Sequence, residues 1–219
     1  MIRARRRPYT ARVRQLWIVC AALLLGAVLT PAAHAQAPLT PAQFAAIDGI
    51  YTTQIPLSKD KPSARSFADA RAACRALDSA DPLLGPLRKA CTASVNLVRP
   101  INEFTACRTA LGCLRSARRA RIALTEHIGR LRAMNVAVDA AMLVDGCRNE
   151  LRASRTDLRY LERTRALLRL LQEALVTGSP KLARRVEREG KALDRRAAKQ
   201  PTATRERINF RAACTPPAT

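Results

Sequence analysis

The sequence predicts an all-α fold: an antiparallel helical bundle of about five to six helices, disulfide-linked, after a cleaved signal peptide. Three observations predict it. Apolar residues recur at three- and four-residue steps along most of the chain, and no alternating Val/Ile/Thr segment bounded by turn residues interrupts them. No proline falls between Pro100 and Pro180, so long helices are permitted. Six cysteines follow an export signal, and an even number delivered to an oxidising compartment reads as three disulfides.

The export signal has its three parts in order. Arg3, Arg5, Arg6, Arg7, Arg12 and Arg14 form a basic leader, Leu16 to Leu29 an apolar run, and Ala33-His34-Ala35 a small-x-small cleavage site. The run is shorter than the roughly 20 residues a membrane span needs, so the chain is not expected to be an integral membrane protein. Residues 1–35 are read as signal peptide, 36–62 as a short helix and connector, and 63–199 as the bundle domain. Residues 200–219 are read as a Pro/Thr/Ala-rich tail tied by Cys214.

Thr40, Pro41 and Gln43 form an N-cap, a first-turn proline and the far side of a capping box. They start a helix expected to reach about Tyr51, with a polar connector to Pro62. Ser63 to Leu77 follows, with Phe67, Ala70, Cys74 and Leu77 on one face. Asp81-Pro82 caps a third helix carrying Leu84, Leu87, Cys91, Val95 and Val98, which Pro100 is expected to kink or end. A break near Cys107 to Gly112 precedes a fourth helix from Leu114 to about Met134, and Asn135 offers a turn. A long fifth helix is expected to reach Val176, with Leu143, Cys147, Leu151, Ser154, Leu158, Leu161, Leu168, Leu171 and Leu175 inward. Gly178 stops it, and Ser179-Pro180 starts a sixth that ends near Lys199.

Cys74 and Cys91 lie about equally far from the turn at 79–82, so a helical hairpin sets them opposite each other. Cys214 is expected to tie the tail to Cys147. Cys107 and Cys113 then pair by elimination among 15 possible connectivities. Six residues apart in an unbroken helix they would be about 9 Å apart, beyond disulfide reach, so that pairing requires a local break.

Leu39-Thr40-Pro41-Ala42-Gln43 resembles the Leu-Thr-x-x-Gln motif of Spy-type periplasmic stress chaperones, which are helical and basic. The resemblance covers five residues. The second copy usual in that family is missing, because Leu124-Thr125-Glu126-His127-Ile128 lacks the glutamine, and six cysteines are not part of the pattern. What it implies is a periplasmic chaperone-like module.

Enzyme readings fail by absence. Without the leader one histidine remains, His127, expected on the flank of the fourth helix as a solvated or partly packed side chain. No Gly-x-Ser-x-Gly, phosphate-binding glycine loop or His-Glu-x-x-His occurs, and no Cys-x-x-Cys suggests redox work. Bridged cysteines and a single histidine leave no transition-metal ligand set, so neither metal nor cofactor is expected. A carboxylate-dependent hydrolase needs a facing acid pair. Glu187 and Glu189 point apart on a helix, and Asp81 is explained as a cap.

Charge supplies the positive signal. The leader carries six of the 39 basic residues and none of the 17 acids, which leaves +16 on the exported chain. Arg148, Arg152, Arg155, Arg159 and Arg163 follow steps of three and four residues and share a narrow arc of the expected fifth helix. Neighbouring like charges repel, and four such pairs cost about 1–2 kcal/mol. Either another helix supplies acids, or the row meets an anionic partner. Lys181, Arg184, Arg185, Arg188, Lys191, Arg195, Arg196 and Lys199 extend the basic surface. The expectation is a secreted or periplasmic, non-enzymatic binding protein for an anionic polymer, membrane surface or acidic protein, the alternatives being a secreted carboxylate-dependent hydrolase or a periplasmic chaperone-like helical module. Sequence-specific nucleic-acid reading is not expected, since no helix-turn-helix or zinc-finger pattern is present. Aromatic residues for stacking bases are also too few.

Overall fold

The computed structural model describes residues 37–57, 62–198 and 202–216. The expected signal peptide, residues 1–35, and Lys199 lie outside the described residues. Eight helices and no strand occur among those described: α1 (Pro41–Leu57), α2 (Ala64–Ala76), α3 (Leu84–Thr105), α4 (Ala110–Ala140), α5 (Asp145–Leu151), α6 (Arg155–Thr177), α7 (Pro180–Ala197) and α8 (Ala203–Cys214). None of these helices is long and apolar enough to cross a membrane.

Side-chain caps explain most helix starts. Ser63, Thr109, Ser154, Ser179 and Thr202 each accept a hydrogen bond from a first-turn backbone N–H, which satisfies one donor that the helix leaves unpaired. At α1 the Thr40 N–H donates to Gln43 Oε1 and the Gln43 N–H to Thr40 Oγ1, at 3.0 and 3.2 Å. Gln43 Nε2 then donates to Asp81 Oδ2, so the same glutamine ties α1 to the α2–α3 turn. Asp81 caps α3 through Oδ1, which accepts from the N–H groups of Leu83 and Leu84.

Several boundaries differ from the sequence reading. α1 runs to Leu57 and includes Pro56. Pro100 does not end α3, which continues one more turn to Thr105. α4 passes through Asn135 to Ala140, so that residue makes no turn in the chain. Instead its side chain brackets Ala153: Nδ2 donates to the Ala153 carbonyl at 2.8 Å and Oδ1 accepts from the Ala153 N–H at 2.9 Å. Opposite that clamp the expected long fifth helix is broken. α5 stops at Leu151, and α6 starts afresh on a capping box between Ser154 and Asp157. The segment expected as a tail folds too, since residues 203–214 form α8.

α3 packs along α4, α4 along α6, and α6 along α7. α1 sits against α2 and α8, and α5 against α8. The core is largely aliphatic through α3, α4 and α6, with Tyr160 buried on α6, and three of the scarce aromatics gather where α8 docks. The Phe210 ring stacks on Phe44 and Tyr51, with centroids 5.2 and 5.1 Å apart. Beside them Asp48 accepts from both Arg207 and Arg211, each donating through Nε and Nη2 at 2.8–2.9 Å. The two guanidinium groups hold the Asp48 carboxyl well below the usual carboxylate range.

Three disulfides cross this arrangement. Cys74–Cys91 joins α2 to α3, Cys107–Cys113 spans the α3–α4 break, and Cys147–Cys214 joins α5 to α8. Their Cα atoms are 5.6, 5.1 and 4.6 Å apart. These are the expected pairs: Cys74–Cys91 from the hairpin, Cys147–Cys214 from the tail and Cys107–Cys113 by elimination. The break that the second pair requires is present at residues 106–109, just outside α4.

Candidate anion-binding site

α6 and α7 form a hairpin because a glycine and a capped proline meet at the turn. Gly178 takes the left-handed conformation, with φ 64°, that ends α6 without a Cβ clash. Ser179 caps α7, and Pro180 fills its first position. α7 is seated lightly: of its 18 residues only Leu193 and Ala197 are buried. Its basic side chains, Lys181, Arg184, Arg185, Arg188, Lys191, Arg195 and Arg196, are all exposed.

A groove of about 490 Å³ lies along one side of this hairpin. Its floor is Ala166, Leu167, Leu170, Leu182, Ala192 and Leu193. Arg163 and Arg169 from α6 and Arg185 and Arg196 from α7 stand around it, with Glu173 and Glu189 as the acids. None of these four arginines forms an ion pair among the described residues. A guanidinium offers a fixed fork of donors matched to carboxylate and phosphate oxygens. Four of them over an apolar floor can hold an anionic group and cover an adjoining apolar one.

The predicted arginine row does not survive as one surface. Arg148 lies on α5, where it pairs with Asp145. Arg152 lies in the break, and its Nη1 is 2.8 Å from Asp139 Oδ1 on α4. Another helix thus supplies an acid, as one of the two alternatives required. Glu162 of α6, an acid on the row's own helix, pairs with Arg132 of α4. Arg155, Arg159 and Arg163 remain together on α6, exposed and without an ion pair among the described residues. Only Arg163 of the five lines the groove. Arg169 escaped the sequence reading because it leaves the 148–163 register. Arg185 and Arg196 share a stripe of α7, but their convergence on α6 is visible only once the hairpin closes.

The remaining sequence candidates carry no site chemistry. His127 is not on a solvated flank. It is buried in the core, neither ring nitrogen has a hydrogen-bond partner, and burial lowers its pKa to about 4. Glu187 pairs with Lys191 at 2.7 Å within α7. A second titratable cluster, unseen in the sequence, joins Tyr51 of α1, Glu150 of α5, Asp157 of α6 and Glu206 of α8. Glu206 is fully buried with neither oxygen hydrogen-bonded. Burial, then the charges of Asp157 and Glu150, push its pKa up to about 9. None of the four lines the arginine groove, and no group of three or more metal-ligating side chains occurs among the described residues. No protein-family model, curated protein or solved structure matches this chain.

Proposed function

We propose that this is an exported, non-enzymatic binding protein, an antiparallel helical bundle that engages an anionic partner through the α6–α7 hairpin. The observation that carries the reading is the groove itself. Arg163, Arg169, Arg185 and Arg196 converge from two helices on one concave surface, and no acid pairs with any of them among the described residues. Paired arginines elsewhere show that the fold supplies carboxylates where it uses the charge structurally, as at Asp48 and Asp139. The three disulfides support the exported part of the reading, since such bridges persist in an oxidising compartment.

The experiment is a salt titration of binding to inorganic polyphosphate, a flexible polyanion. Affinity should fall linearly on a log–log plot against salt, as counterions are released. The double substitution Arg163→Glu and Arg185→Glu should lower affinity at least about tenfold, from two lost charge-assisted contacts. Arg152→Glu, at a position already paired with Asp139, should change it far less. Equal losses in the two variants would mean that overall charge, and not the groove, does the binding.

A further inference from the structure

On the opposite side of α7 a second concavity of about 460 Å³ opens between α3, α6 and α7, and its chemistry is different. Ile101 and Phe104 of α3, Leu167, Leu168 and Leu171 of α6, and Val186 and Leu193 of α7 make its walls apolar. Folded interiors seldom leave spaces much larger than a water molecule, and a trough this size lies within the range of small-molecule sites, about 300–1,000 Å³. We propose that the trough binds one long-chain fatty acid, its chain against the α6 leucines and its carboxylate at Arg184.

Gly190 argues that the space is kept open. It sits inside α7, where glycine is the poorest helix former after proline. No close approach requires it: a Cβ at 190 would meet only Leu167 Cδ2, at 4.0 Å. A larger apolar residue would strengthen the helix and fill the trough. The glycine leaves it vacant.

The rim selects the ligand's charge. Arg184 is exposed and forms no ion pair among the described residues, whereas Lys191 is held by Glu187 at 2.7 Å. Glu187 and Asp194 line the same edge, so of its two cations only Arg184 has no ion pair among the described residues. One negative group at one end of a long apolar body satisfies both conditions. The assignment rests on reading the α6–α7 hairpin as the anion-binding region, and it adds to the polyanion groove a second site, for a monoanionic amphiphile.

The test uses the full exported chain with its disulfides intact and cis-parinaric acid, a fluorescent fatty acid. Saturable one-to-one binding displaced by palmitate is expected. Gly190→Leu should raise the melting temperature by about 2–4 °C and weaken parinarate binding at least about tenfold by occupying the trough. The same variant should leave polyphosphate binding unchanged. Arg184→Glu should weaken parinarate, and Arg184→Lys should restore most of it. Absence of saturable parinarate binding, or wild-type affinity in Gly190→Leu, overturns the proposal. If salt-sensitive polyphosphate binding persists, the fatty-acid site alone has failed, whereas loss of both removes the hairpin reading as well. Association with acidic phospholipid vesicles without uptake of free fatty acid also overturns it, in favour of a membrane surface.

Discussion

Both carboxylate oxygens of Glu206 lie inside the protein without a hydrogen-bond partner, close enough to Glu150 and Asp157 for their charges to be felt. An ionised carboxylate there would be costly, so the folded chain keeps it protonated to about pH 9, whereas an unfolded glutamate ionises near 4.5. Between those values the unfolded state binds fewer protons, and Glu206 lowers stability steadily as pH rises. The slope approaches 1.4 kcal/mol per pH unit, of order 4 kcal/mol between pH 5 and 8. Glu206→Gln should therefore have the higher urea midpoint at pH 8, with the difference nearly gone at pH 4.5. A constant difference across that range would show that Glu206 is ionised when folded. His127 has the opposite sign. Its folded pKa of about 4 lies below the ordinary 6.5, so its contribution is complete above 6.5 and is lost as pH falls towards 4. Neither role could be read from the sequence, where Glu206 sits between two arginines and His127 beside a glutamate.

α5 and α6 show how one side chain on a neighbouring helix decides where an element ends. Leucines at helical spacing run on through residues 151–168, and the one local stop signal there is the Ser154–Asp157 capping box. The stop is imposed by Asn135 of α4, whose amide replaces the helical partners of the Ala153 N–H and carbonyl. Asn135→Ala would leave both groups buried and unpaired, and should cost about 2–4 kcal/mol by urea denaturation. A loss below 1 kcal/mol would show that the break stands on the Ser154–Asp157 capping box alone. The box was hidden in a plausible leucine seam, and its break divides the arginine row. The caps at Thr40, Ser63 and Ser179 are equally local, but each stands beside a proline, Pro41, Pro62 or Pro180, where no leucine seam runs across the start. Those helix starts were legible.

Across the whole molecule, the disulfides constrain loops of very different length. Their sequence separations are 67, 17 and 6 residues for Cys147–Cys214, Cys74–Cys91 and Cys107–Cys113. The chain-entropy relation then ranks their stabilisation at about 4, 3 and 2 kcal/mol. Paired Cys→Ala variants should lose stability in that order, as read from urea midpoints. Loss of Cys147–Cys214 should also weaken the α8 dock, although the Asp48 pair with Arg207 and Arg211 and the Phe210 stack remain. A reversed order would place the effect in native packing around each bridge.

The sequence by itself determined the helical class, most helix starts, the core faces and the Cys74–Cys91 pair, because these depend on periodicity and on residues within a turn or across one hairpin. Tertiary structure alone decided which arginines stand free. A guanidinium is neutralised by whatever carboxylate the fold brings near it, and the Asp48–Arg207 and Glu162–Arg132 pairs are matched across helices far apart in the chain. The groove and the trough have the same origin: each is a space between elements, and its shape exists only after α6, α7 and α3 have packed.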